Sequence, residues 1–329
     1  MTMNPYRANR AQRREFGNMS GSITSSYAGI SEAIIGAAVS ANDTLAKGLV
    51  TQIDGIHHKG GVSVTSMSNP LAAATCDYTN GNDMTLTDKT ITLNDLQVNE
   101  TICRSTVYPT YVGASTSRAG GDAMSPEFVT HVLSEVAANA AEFLEQLIWQ
   151  GGSGFSYGFL SNDGAIDATG FAASALAGAT TATITAITSD TTAQAAIQVA
   201  YAKAAEVKPA VLASSDAGIY VGPKTYAYYL EWLGTTSNGY NNFLTNQDFG
   251  QVRYLNLPVY RIAGMTDKAV VLARKKDLIV GTNLGTDLTE VKYIPAYEYD
   301  GSDNIKVVMR MAVGVQSGST SDVIVAKDY

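Results

Sequence analysis

Charged side chains are scarce in this sequence. Only 16% of the 329 residues are Asp, Glu, Lys or Arg, against about 25% in ordinary soluble domains. Apolar residues make up 45%, which excludes a disordered chain. A chain of this length fits roughly two domains and buries a substantial core. Because interface cores are poor in charge and rich in tyrosine, and 18 tyrosines are present, the composition favours an obligate assembly over a free monomer.

Long apolar runs are also absent. No uninterrupted run approaches the roughly 18 residues that a membrane span requires, and the nearest one, residues 34–39, contains Gly36 and leads into polar residues. The N-terminus carries arginines with no apolar segment behind them, so it does not resemble a secretory signal. The sequence therefore predicts no membrane partner and synthesis in the reducing cytosol.

Cysteine and histidine are too rare for most site chemistry. The two cysteines, Cys76 and Cys103, are far apart, so they form neither a metal-ligand spacing nor a disulfide framework. The histidines are His57, His58 and His131. Adjacent side chains in a strand point to opposite faces, and no third ligand follows the first two closely. We expect no metal site.

One catalytic motif does occur. Residues 154–158, GFSYG, match the G-x-S-x-G nucleophile elbow of serine hydrolases. That elbow needs a strand before it and a histidine after it, whereas here it follows a predicted helix and every histidine lies upstream of Ser156. No phosphate-binding or dinucleotide-binding glycine motif is present. The sequence predicts a protein that is not an enzyme, with no catalytic residue, no cofactor-binding residue and no cofactor.

Charge is distributed unevenly along the chain. The first 14 residues contain Arg7, Arg10, Arg13 and Arg14 and no acid. The other residues include 18 basic and 30 acidic ones, a net −12. An arginine-rich arm ahead of a polar stretch indicates a mobile tail. This tail is either solvated without a partner or an arm that contacts nucleic acid or an acidic neighbour.

The clearest predicted element is a long helix over residues 126–150. Pro126 suits the first helical position, apolar residues recur at intervals of four, and two glycines end the run. About 25 residues at 1.5 Å each make a strut of about 37 Å. Three acids are placed on the polar side of this helix: Glu135, Glu142 and Glu145.

The remaining pattern mixes helices with short strands, which indicates an α+β chain. Residues 51–88 are β-prone and turn-rich with little apolar content, so they predict an extended hairpin or loop. One or two strands follow, up to residue 102. The other predicted elements are helices over 29–47 and 191–207 and from Pro223, and strands over 210–214, 219–221, 258–262, 269–273, 277–281, 288–294, 305–312 and 323–326.

Tyrosines concentrate in the predicted helix-and-strand unit after residue 200. Base stacking in a nucleic-acid groove needs neighbouring basic residues, and this stretch supplies only Lys224, Arg253 and Arg261. Tyrosine as an interface anchor, or as an amphipathic cover of the core, is the better interpretation. The residues concerned are Tyr220, Tyr226, Tyr228, Tyr229, Tyr240, Tyr254 and Tyr260.

Four stretches of sequence follow one another in a distinctive order. They are LEQLIWQGGSGFSYGFLS (144–161), AVLASSDAGIYVGPKTYAYYLEW (210–232), LNLPVYRIAGM with AVVLARKKDLIVGTN (255–265 and 269–283), and NIKVVMRMAVGVQ (304–316). The first resembles a strut-helix end with its glycine-rich turn, and the second a strand followed by a P-x-x-(W/Y) helix. The third resembles a (W/L)-G-L-P-V strand, and the fourth a closing strand. Together they are similar to the major capsid proteins of tailed bacteriophages, which have the Hong Kong 97-type fold, over about residues 30–329.

The resemblance implies an α+β, Hong Kong 97-like capsid fold in four parts. These are an N-terminal arm (1–50), an extended β-hairpin loop (51–88), a P-domain (89–186 and 287–329, with its spine helix at 126–150) and an α/β A-domain (187–286). Some family members cross-link a loop lysine to an asparagine. Lys59 is the candidate here, but no partner asparagine is assigned, so we expect no cross-link. We also expect no large cleaved segment ahead of the short arm.

The resemblance also implies a function and its partners. The chain is expected to self-assemble into pentamers and hexamers of an icosahedral shell around phage double-stranded DNA. Its partners would be neighbouring subunits, together with portal, scaffolding and decoration proteins, and the four arginines of the arm would contact packaged DNA loosely or touch a neighbour. The expected location is the virion, after assembly in the host bacterial cytoplasm. The alternatives are an encapsulin-type compartment of the same fold and, from another class, an enzyme.

Overall fold

The computed structural model describes residues 43–67, 76, 84–103, 126–152, 157–160, 174–235, 252–283, 291–296, 301–302 and 304–328. The chain divides into two compact units. The smaller one comprises Met1–Val39, Gln97–Ala140 and Leu288–Arg310. The larger one comprises Ser40–Leu96, Ala141–Asp287 and Met311–Tyr329.

The described elements mix helices and strands along the whole chain. The helices are α1 (Asp43–Ala46), α2 (Pro126–Gln150), α3 (Asp190–Val207), α4 (Pro209–Leu212) and α5 (Pro223–Thr235). The strands are β1 (Thr51–Ile53), β2 (Lys59–Met67), β3 (Met84–Thr92), β4 (Asn94–Cys103), β5 (Thr180–Thr183), β6 (Ala217–Val221), β7 (Arg253–Tyr254), β8 (Leu257–Arg261), β9 (Ala269–Arg274), β10 (Leu278–Thr282), β11 (Val291–Pro295), β12 (Asn304–Ser317) and β13 (Ile324–Lys327). This confirms the predicted α+β class.

A six-stranded sheet forms the core of the larger unit. Its strand order is β5-β13-β9-β6-β8-β7, and all five residues of β6 are buried. On one face, Ile219 packs in an apolar cluster with Ala196 and Ile197 of the alanine-rich helix α3. On the other face, the ring of Tyr220 lies 5.7 Å from the ring of Trp149, near the end of α2. The sheet is therefore covered on both sides, which explains its continuous apolar strands.

A second sheet has the order β1-β10-β12-β11, and β4 also pairs with β12. Strand β12 is long enough to belong to both units. In the larger unit its residues 313–317 pair antiparallel with β10, and β10 pairs parallel with β1. In the smaller unit its residues 305–309 pair antiparallel with β11.

Strands β2 and β3 form a separate two-stranded hairpin. They pair antiparallel from Lys59 opposite Thr92 to Met67 opposite Met84. The base of the hairpin packs into a small apolar cluster that contains Ile56, Ile91 and Ile279. The hairpin predicted within residues 51–88 is present, with its second strand ending four residues beyond that range.

The predicted long helix is confirmed from its first residue to its last. It stops at Gly151 and Gly152, whose φ angles of 66° and 101° are left-handed and favour glycine. Helix α3 starts one residue before the predicted position, because Ser189 forms a capping box with Thr192. Helix α5 begins at Pro223, as predicted. Of the helix predicted over 29–47, residues 29–42 lie outside the described residues.

The strand predicted over residues 210–214 is wrong, because this segment begins with the short helix α4. Pro209 occupies the first turn of α4, and the backbone N–H of Ser214 donates to the carbonyl oxygen of Val211. A run of four apolar residues fits a strand or a helical turn equally well, so periodicity could not decide between them.

The predicted division into arm, extended loop, P-domain and A-domain stays a prediction. The strand pairing joins residues from different predicted parts. Strands β5 and β13, which the prediction assigns to the P-domain, pair with each other, and β13 also pairs with β9 of the predicted A-domain. Strand β10 falls in the predicted A-domain range and pairs with β12.

Candidate functional site

The arginines singled out from the sequence, Arg7, Arg10, Arg13 and Arg14, lie outside the described residues, as does Ser156 of the hydrolase-like motif. Within the described part of the chain, no three His, Cys, Asp or Glu side chains are grouped so that they could bind a metal. No described helix is both long enough and apolar enough to cross a bilayer. The candidate site is an exposed surface of the larger unit.

The outer part of the β2–β3 hairpin is the most exposed regular structure of the larger unit. The first five residues of β3 are all exposed, and Met84 and Leu86 keep 61% and 62% of their accessible surface. The strands are linked across by polar pairs, such as the hydroxyls of Ser66 and Thr85 at 2.6 Å. A two-stranded hairpin without a buried face is marginally stable in water. Its exposed apolar residues make it the candidate contact surface.

Lys89 anchors the hairpin near its base. Its ammonium group donates to the hydroxyl of Ser317 at 3.0 Å and to the carbonyl oxygen of Gly318 at 2.8 Å. Burial lowers the pKa of Lys89, and the negative charge of Asp277 partly opposes that shift. One residue along β3, the carbonyl oxygen of Thr90 accepts from the amide of Gln316 at 2.9 Å. These contacts position the hairpin on the end of β12 and on Gly318, which begins the segment that follows it.

A charge network fixes that following segment in turn. Arg274 donates to Asp277 at 2.6 Å and also to Asp322, and Lys208 lies 3.3 Å from the same Asp322. Burial raises the pKa of Asp322, but the hydrogen bond to Lys208 and the positive charges of Arg274 and Lys208 lower it more, so that the net shift is downward. The backbone N–H of Ser319 donates to Asp277 at 3.3 Å. The base of the hairpin therefore rests on a rigid support.

A buried polar cluster joins α1 to the end of α2. Both the backbone N–H and the hydroxyl of Thr44 donate to one oxygen of Glu145, at 3.1 and 2.8 Å, and the indole of Trp149 donates to the Thr44 hydroxyl at 2.9 Å. The other oxygen of Glu145 has no partner among the described residues. Burial raises the pKa of Glu145, although the hydrogen bonds from Thr44 oppose that shift.

The prediction that Glu145 lies on the polar side of the long helix is wrong, because its side chain is fully buried. Phe143, an apolar residue two positions earlier in the same helix, is 51% exposed instead. The reason is the close approach of another segment to the helix. A Cβ atom on Gly264 would lie 2.4 Å from the backbone carbonyl carbon of Glu145, and Gln150 donates to the carbonyl oxygen of Gly264 at 2.7 Å. This contact buries the helix face that carries Glu145.

The tyrosines fall into two groups. Tyr220 and Tyr229 are fully buried, and their hydroxyls donate to the carbonyl oxygens of Leu49 and Arg253. These two tyrosines are part of the core itself rather than the predicted cover of it. Half-buried tyrosines cover the core edge at Tyr226, Tyr228, Tyr254 and Tyr260, and Tyr240 lies outside the described residues. Their role as interface anchors stays a prediction.

Sequence reasoning did not single out Thr44 and Lys89. Each bonds to residues that are more than 100 positions away along the chain. Neither residue belongs to a local sequence motif that would predict its bonding partner. Lys89 directly follows Asp88 in a β-prone stretch, so its charge alone gave no signal.

No family model and no curated protein matches this chain. Solved structures do match its fold. A chain from the capsid of a native GTA particle is 12% identical, with 91% of this chain and 94% of that chain covered at a TM-score of 0.58. A chain from Mycobacterium phage Adephagia is 10% identical, with 100% and 99% covered at a TM-score of 0.56. A chain from the capsid of Myoviridae phage XM1 is 10% identical, with 91% and 95% covered at 0.53.

Identities this low demonstrate a shared fold rather than a shared activity. The match nevertheless extends over nine tenths or more of each chain, so it concerns the whole architecture and not one common motif. The chain has the Hong Kong 97-type fold of tailed-phage capsid proteins, as the four sequence motifs predicted.

Proposed function

We propose that this chain is the major capsid protein of a tailed bacteriophage. In this proposal, copies of the chain assemble into pentamers and hexamers and form an icosahedral shell around double-stranded DNA. The observation that carries the proposal is the fold match to capsid chains, which extends over nearly the full length of both compared chains. The protein acts by contact between copies and not by catalysis.

The hairpin provides physical support for assembly. Its outer strands bury little within their own chain and carry exposed Met84 and Leu86, while Lys89 fixes its base to a rigid segment. A strand pair of this kind gains stability when a second surface covers it. In the proposed shell that surface belongs to a neighbouring subunit.

The N-terminal arginines are proposed to face the interior of the shell. Arg7, Arg10, Arg13 and Arg14 give the arm a charge of +4, against −12 for the remaining residues. A short basic arm attracts phosphates without reading sequence. The acidic remainder repels DNA, so contact with the packaged genome stays loose. Portal, scaffolding and decoration proteins are the other proposed partners, and the virion, assembled in the bacterial cytoplasm, is the proposed location.

The decisive experiment is to express the chain and examine it by negative-stain microscopy and velocity sedimentation. We expect closed particles many times larger than the 34.7 kDa chain. A chain that stays monomeric at high concentration would contradict the proposal. Particles that enclose cargo protein in place of DNA would favour the encapsulin-type alternative.

A pair of hairpin variants tests how the shell forms. We expect Leu86→Asp to leave a folded chain that assembles poorly, because it places a charge on the exposed apolar side of the hairpin. The matched control is Thr87→Asp, which adds the same charge on the opposite face of the same strand and should reduce assembly less. If both variants form particles as readily as the wild-type chain, the hairpin does not contribute to assembly.

A further inference from the structure

The tight turn between β7 and β8 has an unusual residue at its tip. The strands pair Arg253 with Pro258 and Tyr254 with Leu257, so only Leu255 and Asn256 form the turn. Leu255 has a φ of 52°, and it is the one non-glycine residue in the described part of the chain with a positive φ. Its side chain is 64% exposed, more than any other large apolar residue that the structure describes.

Leucine is unfavourable at this position for two reasons, its positive φ angle and its exposed apolar side chain. The left-handed region places Cβ close to the following carbonyl oxygen, which costs an L-residue free energy that glycine avoids. Exposure of an isobutyl group to water adds a second unfavourable term. Glycine or asparagine would satisfy the turn better. An outlier of this kind, kept in place by its surroundings, points to a role beyond the fold of the single chain.

The surroundings fix the turn from several sides. Asn256 donates to the carbonyl oxygen of Leu212 at 2.8 Å and accepts from the hydroxyl of Tyr201 at 3.0 Å. The hydroxyl of Tyr229 donates to the carbonyl oxygen of Arg253 at 3.0 Å. The rings of Tyr201 and Tyr254 meet edge to face, with centroids 5.6 Å apart. Leu255 therefore projects from a rigid frame, and little conformational entropy is lost when it binds.

We propose that Leu255 is an anchor that docks into an apolar contact on a second copy of this chain. The inference rests on the proposed function, since a shell of identical copies places the same turn against the same neighbouring surface at every contact of one type. Arg253 and Tyr254 directly precede the anchor, and arginine and tyrosine are typical of interface hot spots. The exposed Arg253 beside it carries a positive charge, and a second copy offers an acidic partner, because the chain beyond its arm is net −12.

The test uses Leu255→Gly in the full-length chain. Glycine removes the anchor and relieves the backbone, so we expect the unassembled variant to unfold at a higher urea concentration than the wild-type chain. At matched concentrations we expect about a tenfold or greater loss of particles, the usual size of a hot-spot effect. Leu255→Met is the control. It keeps the exposed apolar group and the strained φ, and should assemble like the wild-type chain.

A photo-crosslinking amino acid at position 255 identifies the partner. We expect a crosslinked species of twice the chain mass in assembled particles and none in the unassembled chain. A crosslink to a different protein, or to nucleic acid, would overturn the proposed partner. Equal assembly of the glycine variant would overturn the anchor, and so would a lower urea midpoint, since Leu255 would then serve its own fold. In each of these outcomes the wild-type particles still stand as evidence for the shell function.

Discussion

The six-stranded sheet and the β2–β3 hairpin belong to the same compact unit, yet they are built in opposite ways. In the sheet, every residue of β6 is buried. In the hairpin, the first five residues of β3 are all exposed. The sheet is held by apolar packing from both faces, whereas the hairpin is linked by its strand pairing, by polar pairs and by Lys89 at its base. The difference shows that one region buries its apolar residues within the chain and the other leaves them exposed.

This contrast has an energetic meaning. The free energy of the sheet comes from area removed from water inside the chain, and each buried residue contributes in the isolated subunit. The hairpin leaves comparable apolar groups in water until another molecule covers them. Changes in the sheet should therefore alter the stability of the single chain, and changes in the hairpin should alter order and assembly instead.

The largest expected effect comes from truncating the core of the sheet. Ile219 is fully buried in the middle strand, so Ile219→Ala should destabilise the unassembled chain by about 2–5 kcal/mol. Leu86→Ala removes a similar apolar volume from the exposed hairpin and should change stability by less than about 0.5 kcal/mol. Urea unfolding of both variants measures the difference. Equal losses would show that the hairpin is folded into the core.

A smaller effect is expected from pH. Burial raises the pKa of Glu145 above its ordinary value of 4.5, so over a range above that value the folded chain binds a proton that the unfolded chain has released. Stability should therefore fall as pH rises from about 4.5 to the raised pKa, by at most ~1.4 kcal/mol per pH unit from this group. Glu145→Gln removes the titration and should make the curve flatter.

Unfolding in urea at a series of pH values checks this prediction. The control is Gln146→Ala, a change at the exposed neighbour on the same helix that removes no titratable group. It should keep the slope of the wild-type curve. Parallel curves for the wild-type chain and Glu145→Gln would show that the buried carboxyl does not set the slope. The pH dependence of the stability of the larger unit would then arise from other groups.

A small effect on global stability is also expected at the base of the hairpin. Lys89→Met removes the two hydrogen bonds to Ser317 and Gly318 and should cost about 1 kcal/mol or less. Its local effect should be larger. We expect faster amide hydrogen exchange in β2 and β3, with unchanged exchange in β6 and β9. Lys59→Met, at the exposed start of β2, is the control. Unchanged exchange in the Lys89→Met variant would show that the two hydrogen bonds of Lys89 do not order the hairpin.

The sequence predicted those features of the fold that are encoded by neighbouring residues. Helix α2 was located correctly because a proline at its start and two glycines at its end are local signals. The burial of Glu145 was missed, because it depends on Thr44 and on Gly264, which are distant along the chain. The helix α4 was mistaken for a strand, because four residues are too few to show a period.

The candidate site was likewise predictable only where neighbouring residues encode it. The hairpin was predictable, since a β-prone stretch with little apolar content cannot form a core of its own. The anchors of the hairpin were not, because Lys89 meets Ser317 across more than 200 residues of chain. The exposed turn at Leu255 was also not predictable, since the sequence Leu-Asn does not determine the φ angle of the leucine. These contacts exist only once the second sheet and the six-stranded sheet have formed.

The position of β13 in the six-stranded sheet determines when this sheet can be completed during synthesis. Residues 324–327 pair on one side with β5, which precedes them by 144 positions, and on the other side with β9. Of the strands in this sheet, β13 is the last to leave the ribosome, and until it does so β5 is unpaired and β9 has one unpaired edge. The six-stranded sheet, which supports the turn at Leu255, is therefore completed only after β13 has been made. Because an unpaired strand edge is a template for association with another chain, an unfinished chain is exposed to wrong pairing until that point.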